Sequence, residues 1–213
     1  MESRLLEAVR SGNLQQVREL LTPGTNLQDR DDEGTTLLMA ATAASHIGII
    51  KLLIERGADI NARNKQGTTP LHMSAAVRHL EGLSYLLQRG ADVNATDEEG
   101  NTVLMVAART GFAQGVDTLI KKHAPVNAAN RWGTTALMQA ARVGNINVMK
   151  MLLDAGADPD ARDVLGKRAL VYAHEKGTPP VYLARLLGAK QREAGRAPAR
   201  SVGERPWWRF WEK

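Results

Sequence analysis

Glycine recurs every 33 residues along most of this 213-residue chain. The first series consists of Gly34, Gly67, Gly100, Gly133 and Gly166. A second series with the same period consists of Gly24, Gly57, Gly90 and Gly156. His123 stands at the one position where the second series lacks a glycine. A fixed period of this length predicts a stack of similar units, because one unit alone is too small to bury an apolar face.

The amino-acid sequence around the glycines also repeats. Residues 67–73 read GTTPLHM and open a unit, whereas residues 53–62 (LIERGADINA), 86–95 (LLQRGADVNA) and 152–161 (LLDAGADPDA) close one. On these phrases and their period, the chain resembles the ankyrin-repeat family over roughly residues 3–189. The resemblance implies an all-α solenoid, in which each unit has a turn, two antiparallel helices and a projecting hairpin loop.

We predict that an ankyrin-repeat domain occupies residues 1–189. Its six units are predicted at residues 1–33, 34–66, 67–99, 100–132, 133–165 and 166–189. The four central units are well formed, and the two end units are expected to act as caps. The last unit has Arg168 where the others have threonine, and its final helix is expected over residues 181–187.

Three residue types recur at fixed positions in these units, and each has a structural role that the helices require. The threonines are expected to cap the first helices, the leucines to form one core line, and Gly57, Gly90 and Gly156 to end the second helices. The threonines are Thr36, Thr69, Thr102 and Thr135, and the leucines are Leu38, Leu71, Leu104, Leu137 and Leu170. Methionine replaces the family's histidine in every central unit except the one with His72, and it cannot form the histidine's hydrogen bonds between units.

No constellation of residues in the sequence indicates catalysis. The chain has no cysteine, which excludes disulfides, thiolate chemistry and cysteine zinc sites. Its five histidines lack a metal-ligand spacing, and neither a serine nucleophile elbow nor a glycine-rich phosphate loop occurs. Asp59, Asp92 and Asp158 are expected to order loops. We therefore predict no enzyme activity, no cofactor and no metal site.

Positive charge is concentrated at the C-terminal end. Residues 1–189 sum to +1 and residues 190–213 sum to +4, so the basic character belongs to the tail and no nucleic-acid partner is expected. No run of about 18 uncharged apolar residues occurs, and the first residues are too charged for a secretory signal. We expect a cytoplasmic monomer, with a peripheral position at the inner membrane face as the alternative.

The resemblance also implies where a protein partner binds, since partners of the family usually meet the hairpin tips and the inner face of the first helices. Trp132 lies at such a tip and is the only tryptophan outside the tail. Tryptophan and arginine are enriched among binding hot spots. The predicted protein-binding residues are Arg109, Arg131, Trp132, Arg142, Val143, Val164 and Leu165. The alternative is that Trp132 covers the next hairpin as a structural plug.

The tail carries four of the nine aromatic residues of the chain. Residues 190–206 are predicted to be a flexible basic linker, and residues 207–213 an aromatic motif. The motif residues are Trp207, Trp208, Arg209, Phe210 and Trp211. Three roles are open: covering the last unit or the groove, docking on another protein, or contacting a membrane.

The sequence therefore predicts a non-enzymatic protein–protein interaction module, either an adaptor or an inhibitor, whose tail serves recruitment. The alternative is a peripheral membrane scaffold anchored by the tail.

Overall fold

Residues 4–178 are described by the computed structural model. Their helices are α1 (Arg4–Ser11), α2 (Leu14–Leu20), α3 (Leu37–Ala43), α4 (Ile47–Glu55), α5 (Pro70–Ala76), α6 (Leu80–Gln88), α7 (Val103–Thr110), α8 (Ala113–Lys121), α9 (Ala136–Arg142), α10 (Ile146–Asp154) and α11 (Ala169–Glu175). Among these residues only single β-bridges, such as Thr96 with Thr102, join the two arms of a hairpin. The helix predicted over residues 181–187, the linker 190–206 and the motif 207–213 lie outside the described residues.

The helices form two parallel rows. Odd-numbered helices from α1 to α11 each contact the next odd-numbered helix and make the inner row. Even-numbered helices from α2 to α10 make the outer row, and each pairs with the inner helix that precedes it. The prediction of an all-α solenoid of paired antiparallel helices is therefore confirmed.

A threonine begins each of the four central inner helices, as predicted. Its hydroxyl oxygen accepts a hydrogen bond of 3.2–3.4 Å from the backbone amide three residues later. Such a cap satisfies a helix amide that has no partner within the helix. Arg168 begins α11 without a side-chain cap, as its lack of an acceptor atom requires.

The predicted leucine line forms the centre of the inner row. Leu38, Leu71, Leu104 and Leu137 are at most 2% exposed, and small alanines beside them let the inner helices approach closely. Leu170 is only partly buried, although it packs against the same core. It lies on α11, the last helix of the described part of the chain.

Backbone hydrogen bonds of 2.9–3.0 Å connect each hairpin tip to the preceding one. In this tip ladder the amides of Lys65, Glu98, Arg131 and Val164 donate to the carbonyl oxygens of Glu33, Gln66, Glu99 and Trp132, respectively. Neighbouring tips come so close that a Cβ added to Gly133, which has a φ of +71°, would lie 3.0 Å from the Cα of Asp163. Glycine is thus required there both by space and by backbone conformation.

An Asp or Asn at a fixed position stiffens each hairpin internally. Its Oδ1 accepts hydrogen bonds of 2.8–3.1 Å from the amides two and four residues later. These residues are Asp31, Asn64, Asp97, Asn130 and Asp163. Because a side chain holds both arms of the hairpin, the tip residues are presented on a rigid loop.

The loops after the outer helices are also joined from unit to unit, by hydrogen bonds from a backbone amide to an asparagine side chain. Within residues 4–178, one of these hydrogen bonds is missing. Asn61 accepts a hydrogen bond of 2.9 Å from the amide of Asp92, and Asn127 accepts one of 2.7 Å from the amide of Asp158. The equivalent pair in between is Asn94 and Pro125, and proline has no N–H to donate. In the same loop His123 adopts a φ of +62°.

Candidate protein-binding surface

Three hairpins and three inner helices enclose a groove at the C-terminal half of the stack. Its walls come from hairpin residues 97–101, 130–134 and 163–165 and from helices α7, α9 and α11. Its volume is about 720 Å³, within the range of about 300–1,000 Å³ that recognition pockets occupy. We call it the Trp132 groove, because Trp132 lies on its middle hairpin.

Six of the seven residues that the sequence singles out for partner binding line this groove. They are Arg109, Trp132, Arg142, Val143, Val164 and Leu165. The seventh, Arg131, is not among the lining residues; it lies exposed on the tip, 3.9 Å from Glu98. An exposed ion pair of this length contributes little to stability.

The apolar side chains of the groove are open to solvent. The exposed fraction is 47% for Trp132, 41% for Val143, 67% for Val164 and 73% for Leu165. Of the large apolar residues between 4 and 178, only Val77 and Leu80 are exposed outside this groove. About half of the Trp132 side chain is thus accessible to solvent.

Two cations lie beside the aromatic ring of Tyr172, which lines the groove. The guanidinium carbon of Arg142 lies 5.0 Å from the ring centroid of Tyr172, and the Nζ atom of Lys167 lies 5.3 Å from it. Cations at such distances are attracted to the ring face. Arg109 is exposed and forms neither a hydrogen bond nor an ion pair with any residue from 4 to 178.

Tyr172 is held in place by the buried carboxylate of Asp163. The Tyr172 hydroxyl donates to Oδ2 of Asp163, and the amides of Leu165 and Lys167 donate to Oδ1 at 2.9 Å each. Burial acts to raise the pKa of Asp163, but these hydrogen bonds outweigh it and lower that pKa below its ordinary range. The same hydrogen bond, aided by burial, raises the pKa of Tyr172.

Amides and carboxylates fix the spacing of the hairpins that form the groove. Asn130 Nδ2 donates to Asn101 Oδ1 at 2.8 Å, and Asn101 Nδ2 donates to Asp97 Oδ2 at 2.9 Å and to Glu99 Oε2 at 3.0 Å. The Asn130–Asn101 hydrogen bond joins two neighbouring hairpins, and the bonds from Asn101 to Asp97 and Glu99 hold the Asn101 side chain in place.

Tyr172, Gln139 and Asp163 also line the groove, and the sequence analysis did not select them. Two of them could have been found from the repeat, because Gln139 and Tyr172 occupy the same position in their units as Val106 does in its own. The unit period therefore places them on the same face. Asp163 continues the 33-residue Asp/Asn series of the hairpins.

His72 and the recurring aspartates form hydrogen bonds that stabilise the fold. His72 is buried; its Nε2 lies 3.1 Å from the carbonyl oxygen of Asn101, and its Nδ1 lies 2.8 Å from the hydroxyl of Thr69. Burial lowers the pKa of His72. The carboxylates of the loop aspartates at 59, 92 and 158 accept from the amide two residues later at 2.9 Å, as expected of loop-ordering groups. From residue 4 to 178, no cluster of three His, Asp or Glu side chains is arranged to bind a metal.

Comparison with protein families agrees with this architecture. A family model described as ankyrin repeats in three copies matches residues 5–97 and 90–163. The chain belongs to the ankyrin-repeat family. Members of this family are generally protein–protein interaction modules and are typically not enzymes. A comparison with curated proteins gave no match. None of the helices in the described part of the chain has the length and hydropathy needed to cross a bilayer.

Proposed function

We propose that this chain is a non-enzymatic protein-binding module and that the Trp132 groove is its partner-binding surface. The observation that carries the proposal is the exposed Trp132, with Val164 and Leu165 on the adjacent tip and Arg142 in the facing wall. Large aromatic and arginine side chains surrounded by apolar surface are the usual source of binding energy at interfaces.

The rigidity of the groove adds to this argument. The tip ladder, the Asp/Asn side chains and the Asn101–Asn130 pair fix the backbone before any partner arrives. A surface that needs no ordering loses less conformational entropy on binding. The exposed apolar area is therefore available for affinity.

A module of this kind acts as an adaptor if the tail recruits a second protein, and as an inhibitor if the groove covers a partner's active surface. Both roles begin with the same event, which is capture of a protein by the groove. We propose that this occurs in the cytoplasm and that the chain is a monomer.

A comparison of two double variants of the full chain tests the proposal. Trp132→Ala/Arg142→Ala alters the groove, and Leu80→Ala/Arg89→Ala is the matched control. Leu80 is also exposed, and Arg89 lies 4.9 Å from the ring of Tyr85 much as Arg142 lies over Tyr172. Each variant is immobilised and used to capture proteins from an extract of the source cells, with quantification by mass spectrometry.

We expect proteins captured by the unmodified chain to be retained by the control and lost by the groove variant. The groove variant stays folded, because the two backbone hydrogen bonds that fix the tip at Trp132 do not involve the indole. Equal capture by all three proteins, together with a less cooperative unfolding of the groove variant, would identify Trp132 as a structural plug.

The sequence favours a second candidate, a peripheral membrane scaffold. Trp207, Trp208, Phe210 and Trp211 fall within five residues, with Arg209 among them, and such residues are attracted to the interface of anionic bilayers. Co-sedimentation with vesicles containing phosphatidylserine tests it. Binding by the full chain that Trp207→Ala/Trp208→Ala/Trp211→Ala removes supports the membrane role, and no binding rejects it. Vesicles of phosphatidylcholine alone provide the control.

A further inference from the structure

We propose that the Trp132 groove selects acidic protein segments, binding carboxylates on its cationic wall and a neighbouring large apolar side chain beside Trp132. This inference rests on the proposed function, since it names the chemistry of the partner that the groove takes. It follows from where unpaired cations lie along the inner helices.

The cationic wall is formed by the C-terminal ends of four successive inner helices. Arg109 and Arg142, which line the groove, lie in the last turns of α7 and α9. Arg78 after α5 and Lys176 after α11 continue the row beyond the residues that line the groove. Across residues 4–178 none of these four side chains pairs with a carboxylate. Lys51 and Lys121, in contrast, are paired with Glu81 and Asp117, whereas Lys122 and Lys150 of the outer row are exposed and have no carboxylate partner within residues 4–178.

The spacing of this wall suits a protein chain. Packed helices lie about 8–10 Å apart, which sets the distance between the ends of α7 and α9. Carboxylates three residues apart in an extended segment are separated by about 9–10 Å. Arg109 and Arg142 can therefore each take one carboxylate, and the planar guanidinium groups offer paired donors for each.

The apolar part of the groove adjoins the cationic wall. Val143 follows Arg142 directly, and Trp132, Val164 and Leu165 lie across the groove on the tips. A large apolar side chain of the bound segment would cover these exposed groups. The acidic residues then set the register along the wall, and the apolar residue supplies buried area.

Charge argues against two other occupants of this groove. Asp97 and Glu99 also line it, so a continuous polyanion such as nucleic acid would be repelled along one side. The chain's own residues 190–213 carry a net charge of +4, which does not complement the two arginines that line the groove. A short segment with a few carboxylates and an apolar anchor matches the arginines and the exposed apolar tips of the groove.

The test uses a library of random twelve-residue peptides displayed on phage and selected on the immobilised full chain. The same selection is run on Arg109→Glu/Arg142→Glu and on a control, Lys122→Glu/Lys150→Glu. Both control lysines are exposed on the outer side, at the end of α8 and in α10, and the control changes the net charge by the same amount. Selected peptides are then measured in solution by fluorescence anisotropy.

We expect the unmodified chain and the control to select peptides that combine Asp or Glu with a large apolar residue. Arg109→Glu/Arg142→Glu should bind those peptides at least tenfold more weakly and select basic ones instead. Arg109→Gln/Arg142→Gln, which introduces no repulsion, should show the same loss without the inversion. Selection of no acidic peptides, or equal affinity of acidic peptides for the reversed and control chains, would overturn the inference.

Trp132→Ala separates this inference from the proposed function. If selected peptides lose affinity for Trp132→Ala but not for the arginine variants, the groove binds protein segments without recognising acid. If neither change matters, the peptides bind elsewhere, and both proposals fail.

Discussion

The backbone amide of Val164 donates a 2.9 Å hydrogen bond to the carbonyl oxygen of Trp132, so the two exposed tips of the groove are fixed to each other. The amide of Trp132 itself donates to Oδ1 of Asn130 at 3.0 Å. Both bonds are made by main-chain atoms of Trp132, and the indole takes part in neither. The proposed binding side chain is therefore distinct from the atoms that fix the tip.

Truncation of the core leucine at the middle of the stack should be costly. Leu104 is fully buried on α7 between two neighbouring inner helices. We expect Leu104→Ala to lower the free energy of unfolding by about 2–5 kcal/mol in urea denaturation, because the cavity cannot fully collapse. Leu165→Ala, at a 73% exposed position, should change it by less than about 0.5 kcal/mol. A loss under about 1 kcal/mol for Leu104→Ala would contradict the assigned stacking.

His123→Gly should stabilise the protein. His123 has a φ of +62°, a left-handed conformation that costs a residue with a Cβ about 1–2 kcal/mol. Glycine removes that cost but gains about 0.5–1 kcal/mol of unfolded-chain entropy, so a net gain of about 0.5–1 kcal/mol is expected in urea denaturation.

The reverse change at the equivalent position serves as a control for His123→Gly. Gly90 has a φ of +93°, and nothing lies within 4 Å of a Cβ added to it. Gly90→Ala should therefore destabilise through backbone conformation alone. If both substitutions left the stability unchanged, backbone strain would not be what distinguishes these loops.

Replacing His72 by the methionine of the neighbouring units should flatten the pH dependence of stability. Burial lowers the pKa of His72 in the folded protein below its ordinary 6.5, although the Asn101 carbonyl and Asp97 act to raise it and Arg63 to lower it. As the pH falls below about 6.5, the unfolded chain binds a proton that the folded chain does not, so stability is lost until the folded pKa is reached.

The measurement is the urea midpoint of both proteins between pH 8 and pH 5. At pH 8 the His72→Met variant should be about 1 kcal/mol less stable, because the hydrogen bond to the Asn101 carbonyl is gone. The difference should shrink as the pH falls below 6.5. Parallel curves at all pH values would show that His72 does not contribute to the acid sensitivity.

Tyr172→Phe should weaken the last hairpin at neutral pH and reduce its acid sensitivity. The folded pKa of Asp163 lies below its ordinary 3.8 although burial acts to raise it, because the Tyr172 hydroxyl and two amides donate to the carboxylate. The stability from this depressed pKa is present above about pH 3.8 and is lost as the pH falls through the folded value.

Urea denaturation at pH 7 and pH 3 measures the effect of Tyr172→Phe. A loss of about 1 kcal/mol is expected at pH 7, with a smaller loss at pH 3. Tyr85→Phe is the control, since no partner of the buried Tyr85 hydroxyl is present among the described residues. A loss that does not depend on pH would assign Tyr172 a role in ring contacts only.

The sequence predicted most of the fold because its signals are local and periodic. Thr102 and Leu104 show their roles within one unit: a hydroxyl ahead of an apolar run caps a helix, and a leucine at the repeating position is buried. Leu170, on the last helix of the described part of the chain, is less buried than its register position suggested.

The candidate site was predicted less completely. Exposed apolar residues at a tip normally polar, such as Trp132 and Leu165, are visible in the sequence. Arg142 contacts the Tyr172 ring, and the Tyr172 hydroxyl donates to Asp163. These side chains come from different elements, so their contacts depend on the three-dimensional arrangement and cannot be predicted from the local sequence. Asp163 was missed for another reason: its series alternates between Asp and Asn, which hides a shared acceptor atom.

The tip ladder restricts how this chain can change its length during evolution. Each of the three inner tips lies between two others, and its main-chain atoms are in register with its neighbours at intervals of 33 residues. One residue added within a hairpin would misalign the amides and carbonyls on both sides at once. Gain or loss of a complete 33-residue block would restore every pairing. The array can therefore grow or shrink in whole units, and variation of single residues is confined to the side chains that the tips display.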